Sequence, residues 1–167
     1  MLAGRESSAL SAKPLESATL DGLYDRDFVF WCEETARLLR ARRLSEIDIE
    51  NTAEEIESMA RGDKRQMRSR LRVLILHLLK WERQPDKRKL GWEKTMATQR
   101  REIEDLLEES PSLRPTLGEL IAKVYRTAVE QAAEETRLPA SAFPPECPYT
   151  PEQIMDRSFL PATRRSG

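Results

Sequence analysis

Three glutamates spaced for one side of a helix are the first residues in this sequence that could do chemistry. Glu50, Glu54 and Glu57 stand at positions i, i+4 and i+7, so a helix would place their carboxylates in one stripe. His77, the single histidine of the chain, follows in the apolar segment LRVLILHLLKW. If these two segments form neighbouring helices, carboxylate and imidazole groups could meet in a metal or hydrolytic site between them.

The spacing of these groups argues against that site. Bundles that hold two metal ions use a Glu-x-x-His pair on each of two helices, and this chain contains no such pair. We therefore predict no catalytic residue, no metal ligand and no cofactor. We expect the carboxylates to pair with arginines. Because a buried imidazole needs a hydrogen-bond partner, we expect His77 to be a structural group bonded to a carboxylate or a carbonyl.

A basic run, RGDKRQMRSRLR, separates the two segments and suggests a binding surface. Lys64, Arg65 and Arg68 follow helical spacing, and residues 61–101 contain 14 Lys and Arg against 4 Asp and Glu. One interpretation is that acidic residues on either side neutralise this segment inside one bundle. The other is a surface for an acidic partner. Nucleic-acid binding through 61–101 is a further alternative, although no helix-turn-helix, zinc-finger or ribonucleoprotein motif accompanies the run.

Composition limits the classes of function. The 167 residues are 39% hydrophobic, 34% charged and 6% aromatic, a balance that favours helices over a sandwich or a barrel. A net charge of −1 gives no global attraction to nucleic acid or membranes. No apolar run is long enough to span a bilayer, so we expect no membrane contact. Two cysteines without a spacing motif suggest a reducing compartment, and we predict a cytoplasmic protein.

Apolar periodicity predicts an all-α bundle of about four to five helices. Asp25 or Asp27 caps the first, and a loose capping box from Ser45 to Asp48 opens the second. Gly62 is a candidate break, after which the helical spacing resumes until Pro85 ends it. The predicted helical segments are 25–43, 45–62, 63–84, 91–109 and 116–137.

The most apolar of these segments is 63–84, and we predict that it lies at the centre of the bundle. One of its faces carries five large side chains, which we expect to be buried together: Leu71, Leu74, Ile75, Leu78 and Trp81. From Leu138 onward six prolines exclude regular structure, so a proline-rich segment should pack over the bundle. Within it Thr150 can cap a short helix that begins at Pro151. We expect a flexible arm at 1–20, a single helical domain at 21–161 and a disordered tail at 162–167.

Several segments also resemble a known family. YDRDFVFWCEETARLLRARR, IDIENTAEEIESM, LRVLILHLLKWERQP, QRREIEDLLEESPSLRP and CPYTPEQIMDRSFLP occur in the order expected for a bacterial family called domain of unknown function 29, DUF29. The similarity extends from about Tyr24 to Pro161. The resemblance implies an all-helical fold. It implies no reaction, because the family has no established catalytic residues to carry over.

These observations lead to one functional hypothesis and two alternatives. We predict a small, non-enzymatic interaction module whose basic middle meets an acidic protein partner. The alternatives are nucleic-acid binding through 61–101 and a Glu/His site between helices. The candidate binding residues are Lys64, Arg65, Arg68, Glu50, Glu54, Glu57 and His77. The sequence does not define an oligomeric state.

Overall fold

A computed structural model describes Leu20 and residues 22–163, and within them the fold is helical with no strand. These residues form six α-helices, four of them long, which confirms the predicted all-α bundle. They are α1 (Leu23–Arg26), α2 (Phe28–Arg40), α3 (Ile49–Arg83), α4 (Leu90–Glu109), α5 (Leu117–Thr136) and α6 (Pro151–Met155). The predicted arm at 1–20 and tail at 162–167 lie outside the described residues, apart from Leu20, Ala162 and Thr163.

The chain forms two compact units, Met1–Ser58 and Met59–Gly167. The boundary falls within α3. The single helical domain expected over 21–161 stays a prediction.

In the first unit, the predicted bounds of the helix over 25–43 are wrong, because Asp27 interrupts the helix and separates α1 from α2. Asp27 leaves helical geometry at φ −152°, and its carboxylate accepts a hydrogen bond from the backbone N–H of Phe30 at 3.0 Å. This cap satisfies a free donor at the start of α2, as Ser, Thr, Asn and Asp do at helix N-termini. Leu20, Trp31 and Leu38 form the buried core of this unit.

The start of α3 also differs from the prediction. Ser45 lies in a single turn of 3₁₀ helix, Leu44–Glu46, and caps nothing. Asp48 is the cap instead, because its carboxylate accepts a hydrogen bond from the backbone N–H of Asn51 at 3.1 Å. From there one unbroken helix of 35 residues runs through Gly62 to Arg83. The segments that the sequence suggests as two helices are therefore one, and Pro85 follows its end as predicted.

The second unit has the predicted core. Leu71, Leu74, Ile75 and Leu78 are 0% exposed and Trp81 is 8% exposed. They pack with buried side chains of α4 and α5, among them Met96, Ile103, Leu107, Ile121, Val124, Ala128 and Ala132. Because α3 is apolar nearly all round in this half, it can be covered on several sides at once.

The proline-rich segment packs onto this core, as predicted. Phe143, Tyr149 and Ile154 are buried in the same cluster. Thr150 caps α6 with a complete capping box, and Pro151 occupies the first helical position. The backbone of this segment contains few regular hydrogen bonds, so side chains of the bundle supply others.

Arg100 of α4 is the main such side chain. It is 3% exposed, and its guanidinium donates to the carbonyls of Ile154 and Phe159, each at 2.8 Å, and of Arg157 at 3.4 Å. Burial lowers the pKa of Arg100, and nearby Asp156 raises it. The guanidinium thus fixes α6 and the residues after it against α4.

Candidate anion-binding site

A cleft of about 240 Å³ opens between α3 and α5 in the second unit. Three of its six lining residues are cationic and two are hydroxyl-bearing. The lining residues are Arg68, Ser69, Arg72, Lys123, Val124 and Thr127, and they define what we call the cleft.

Helix periodicity explains why these residues meet. Arg68 and Arg72 are one turn apart on α3, as Lys123 and Thr127 are on α5. Both helices bury their other faces in the core, which leaves these pairs at the edge where the helices adjoin. Val124 is 7% exposed and gives the cleft an apolar wall.

The two arginines of the cleft have no acidic partner within residues 22–163. By contrast, Arg70 on the same helix forms an ion pair with Glu102 of α4. Lys123 pairs with Glu119, one turn away on α5. The pKa of Glu119 is lowered first by that hydrogen bond and its charge, and then by the charge of Lys64. The cleft therefore retains uncompensated positive charge at Arg68 and Arg72.

Of the predicted basic residues, the structure places one in the cleft. Lys64, Arg65 and Arg68 are all exposed on α3, and Arg68 lines the cleft. Lys64 lies close enough to affect Glu119. Arg72 and Lys123, which also line the cleft, are not among the residues predicted from the sequence. Arg72 could have been found as the residue one turn after Arg68, whereas Lys123 requires knowledge of how α5 packs.

Other cations of residues 61–101 form ion pairs, hydrogen bonds and cation–π contacts within the protein. Lys80 is 8% exposed, pairs with Glu135 and lies 4.7 Å from the ring centre of Trp92. Arg88 stacks over Trp81 at 4.7 Å and donates to the Trp81 carbonyl at 2.9 Å. These cation–π contacts and ion pairs hold the charges within the fold. The segment thus contains cations with internal partners as well as exposed ones, the latter both on α3 and in the chain from Lys87 to Arg101.

The hypothesis of a Glu/His site between packed helices is wrong in its geometry. Glu50, Glu54 and Glu57 are exposed, and they stand on the same helix as His77, so they do not face it from a neighbouring helix. Throughout the described ranges, no group of three or more His, Cys, Asp or Glu side chains is placed to hold a metal ion.

His77 has a carbonyl partner, one of the two kinds that the sequence suggests. Its half-buried ring donates through Nδ1–H to the carbonyl of Val73 at 2.8 Å. Burial is the largest effect on the pKa of His77 and lowers it from the usual 6.5, with a further lowering by Lys80. The Val73 carbonyl and Glu135 raise it. The net effect favours a neutral imidazole.

This shift predicts a pH dependence. Because the folded pKa is below 6.5, the unfolded state binds the proton more readily, and stability falls as pH drops through 6.5. We expect the wild type to lose more unfolding free energy than His77→Gln between pH 7.5 and 5.5, as measured by urea titration. Equal losses in the two proteins would show that His77 does not contribute to the pH dependence.

A larger groove of about 610 Å³ lies between α5 and the proline-rich segment. Tyr125, Phe143, Pro144 and Pro145 make it mainly apolar. Its one arginine, Arg126, pairs with Glu130. It therefore lacks the free cationic groups of the cleft.

Among the described helices, none is long and apolar enough to cross a bilayer. No curated protein and no solved structure matches the chain. A family model described as "Domain of unknown function DUF29" matches residues 23–160, which is most of the chain, and the protein therefore belongs to the DUF29 family.

Proposed function

We propose that this protein is a non-enzymatic interaction module that binds an acidic protein partner. The binding surface consists of Lys64, Arg65, Arg68, Arg72 and Lys123, which we call the basic face. The observation that supports it is the pair of guanidinium groups, Arg68 and Arg72, without acidic partners in the described chain. Arginine is enriched at protein interfaces, and complementary charge accelerates and orients association.

A protein partner fits the basic face better than nucleic acid does. Glu119 stands beside Lys123, and the whole chain has a net charge of −1. Non-specific nucleic-acid binding depends on many phosphate contacts by an extended positive surface. A protein can instead place single carboxylates against the cations and leave Glu119 uncovered. We also propose a cytoplasmic location, which the free thiols of Cys32 and Cys147 support.

Charge reversal tests the proposal. We expect Lys64→Glu, Arg65→Glu and Arg68→Glu together to abolish capture of acidic proteins from an extract of the source organism, as quantified by mass spectrometry. The melting temperature should stay within about 2 °C, because all three side chains are exposed.

The matched control carries the same change in charge elsewhere. Lys87, Lys89 and Lys94 are exposed and lie within 61–101 but outside the basic face. Reversal of these three should leave capture unchanged. Capture by the first variant as strong as by the wild type would refute the proposal, and so would unfolding of that variant, since its cations would then be internal partners.

Duplex DNA provides the test of the alternative function. We expect no saturable binding of a labelled duplex in fluorescence anisotropy at 150 mM salt. Saturable binding that falls steeply with added salt and is weakened by both triple variants would show that residues 61–101 bind nucleic acid as a whole.

A further inference from the structure

The chemistry of the cleft indicates which acidic group it would take. Two arginines and one lysine line a single space, together with the hydroxyl-bearing residues Ser69 and Thr127. Lys123 shares its charge with Glu119, whereas Arg68 and Arg72 have no such partner in the described residues. The lining thus combines two arginines that have no acidic partner in the described residues with one lysine and two residues whose hydroxyls can donate hydrogen bonds.

We propose that the cleft binds one phosphate monoester group, carried either by a free phosphate ester or by a phosphorylated side chain. This inference rests on the proposed function, because it specifies the acidic group that the basic face recognises. A monoester carries a charge of about −1.5 to −2 at neutral pH and three strong acceptor oxygens. It therefore matches two free guanidinium groups better than a carboxylate of charge −1 does.

Donor geometry supports the same choice. Each guanidinium presents a rigid fork that donates two parallel hydrogen bonds to phosphate oxygens. Arg68 and Arg72 approach from α3, and Lys123 and Thr127 approach from α5. A tetrahedral group with several oxygens can accept from both sides at once. A planar carboxylate has two oxygens and would leave part of this set of donors without acceptors.

The walls of the cleft favour a compact ligand. Val124, which is 7% exposed, is the one apolar residue of the lining, so the cleft offers little apolar surface to a bulky ligand. Glu119 beside Lys123 repels a second phosphate on that side. Each phosphodiester of a nucleic acid carries a single charge, so the cleft attracts it less strongly than a doubly charged phosphate monoester.

The test uses the full chain and defined ligands. The probes are inorganic phosphate and three versions of one acidic peptide, with phosphoserine, serine or glutamate at its central position. Binding is followed by NMR chemical shifts of backbone amides. We expect saturable shifts at residues 68–72 and 123–127 with phosphate and with the phosphoserine peptide.

Matched variants assign the binding to the cleft. Arg72→Gln and, independently, Arg68→Gln should weaken phosphate binding by about tenfold or more, since each removes charge-assisted hydrogen bonds. Arg101→Gln removes an exposed arginine from α4 and should leave binding unchanged. Arg68 is exposed, so its variant remains informative if Arg72→Gln does not fold.

Each outcome separates this inference from the proposed function. A phosphoserine peptide that binds much more tightly than inorganic phosphate identifies a phosphorylated side chain as the source. Equal affinities identify a free phosphate ester. If the glutamate peptide binds as well as the phosphoserine peptide, the phosphate inference fails while the acidic-partner function stands. Absence of saturable shifts with phosphate and with the phosphoserine peptide overturns the phosphate inference, whereas the acidic-partner function is decided separately by the capture experiment with the charge-reversal variants.

Discussion

Leu78→Ala is expected to lower the free energy of unfolding by about 2–5 kcal/mol, as buried leucine truncations do. Leu78 is 0% exposed in the half of α3 that forms the centre of the second unit. Its loss removes contacts with surrounding apolar side chains and leaves a cavity that a tightly packed helix cannot fill by moving. Urea unfolding, followed by the circular dichroism of the helices, measures the change.

Leu90→Ala is the matched control for that measurement. Leu90 is also a leucine of the second unit, at the start of α4, but it is 63% exposed. Its truncation should change the unfolding free energy by less than about 0.5 kcal/mol. If Leu78→Ala had an effect as small as this, the predicted centre of the bundle would be a peripheral helix.

Arg100→Met is expected to cost about 3 kcal/mol, because it leaves carbonyls of the C-terminal segment without donors. An unsatisfied buried polar group costs about 1–3 kcal/mol, and two of the three hydrogen bonds made by Arg100 are short and well formed. The Ile154 carbonyl belongs to the last turn of α6, where no backbone donor is available within the helix. Arg100 thus acts as a cap supplied from another helix.

Two measurements distinguish this role from simple packing. Urea unfolding gives the stability loss, and hydrogen exchange should show faster exchange confined to the amides of residues 150–160. Arg100→Lys keeps the charge but loses the planar fork, so we expect a smaller loss than for methionine. A change below about 0.5 kcal/mol with unchanged exchange would contradict the capping role.

The sequence predicts the core of the second unit because burial there follows a simple period. Side chains three and four positions apart fall on one face, and Leu71, Leu74, Ile75 and Leu78 are all buried. The same rule gives a misleading result at the start of α3. Ile49 and Ile56 share a face by spacing, yet each is 63% exposed. Periodicity shows which residues share a face, and tertiary packing decides whether that face is covered.

Helix boundaries depended on single contacts that composition does not reveal. Both Asp25 and Asp27 are plausible caps in the sequence, and the hydrogen bond to Phe30 selects Asp27. A glycine within a helix costs about 1 kcal/mol relative to alanine, which makes Gly62 a reasonable break. The helix nevertheless continues through it, since the flanking turns are strong helix formers.

The sequence predicts that the candidate site is positively charged, but it does not predict which residues line it. A run of basic residues indicates positive charge, and Arg68 does line the cleft. The count of charges in 61–101 overstates the exposed charge, because Lys80 and Arg100 are buried with internal partners. Lys123 joins the cleft from a helix outside that segment. Such a site depends on which helix packs beside α3, and local spacing does not encode this.

The contacts of the proline-rich segment have a consequence for the order of folding. Tyr149 donates to Glu82 of α3 at 2.6 Å, Arg100 of α4 donates to Ile154, and Tyr125 of α5 donates to Pro144 at 2.8 Å. Two of these bonds join residues 67 and 54 positions apart. Closing such distant loops slows folding relative to purely local helix pairing. Because α3, α4 and α5 precede residues 143–159 in the chain, we expect the core that they share to become fully covered only after this later segment has been synthesised and has docked.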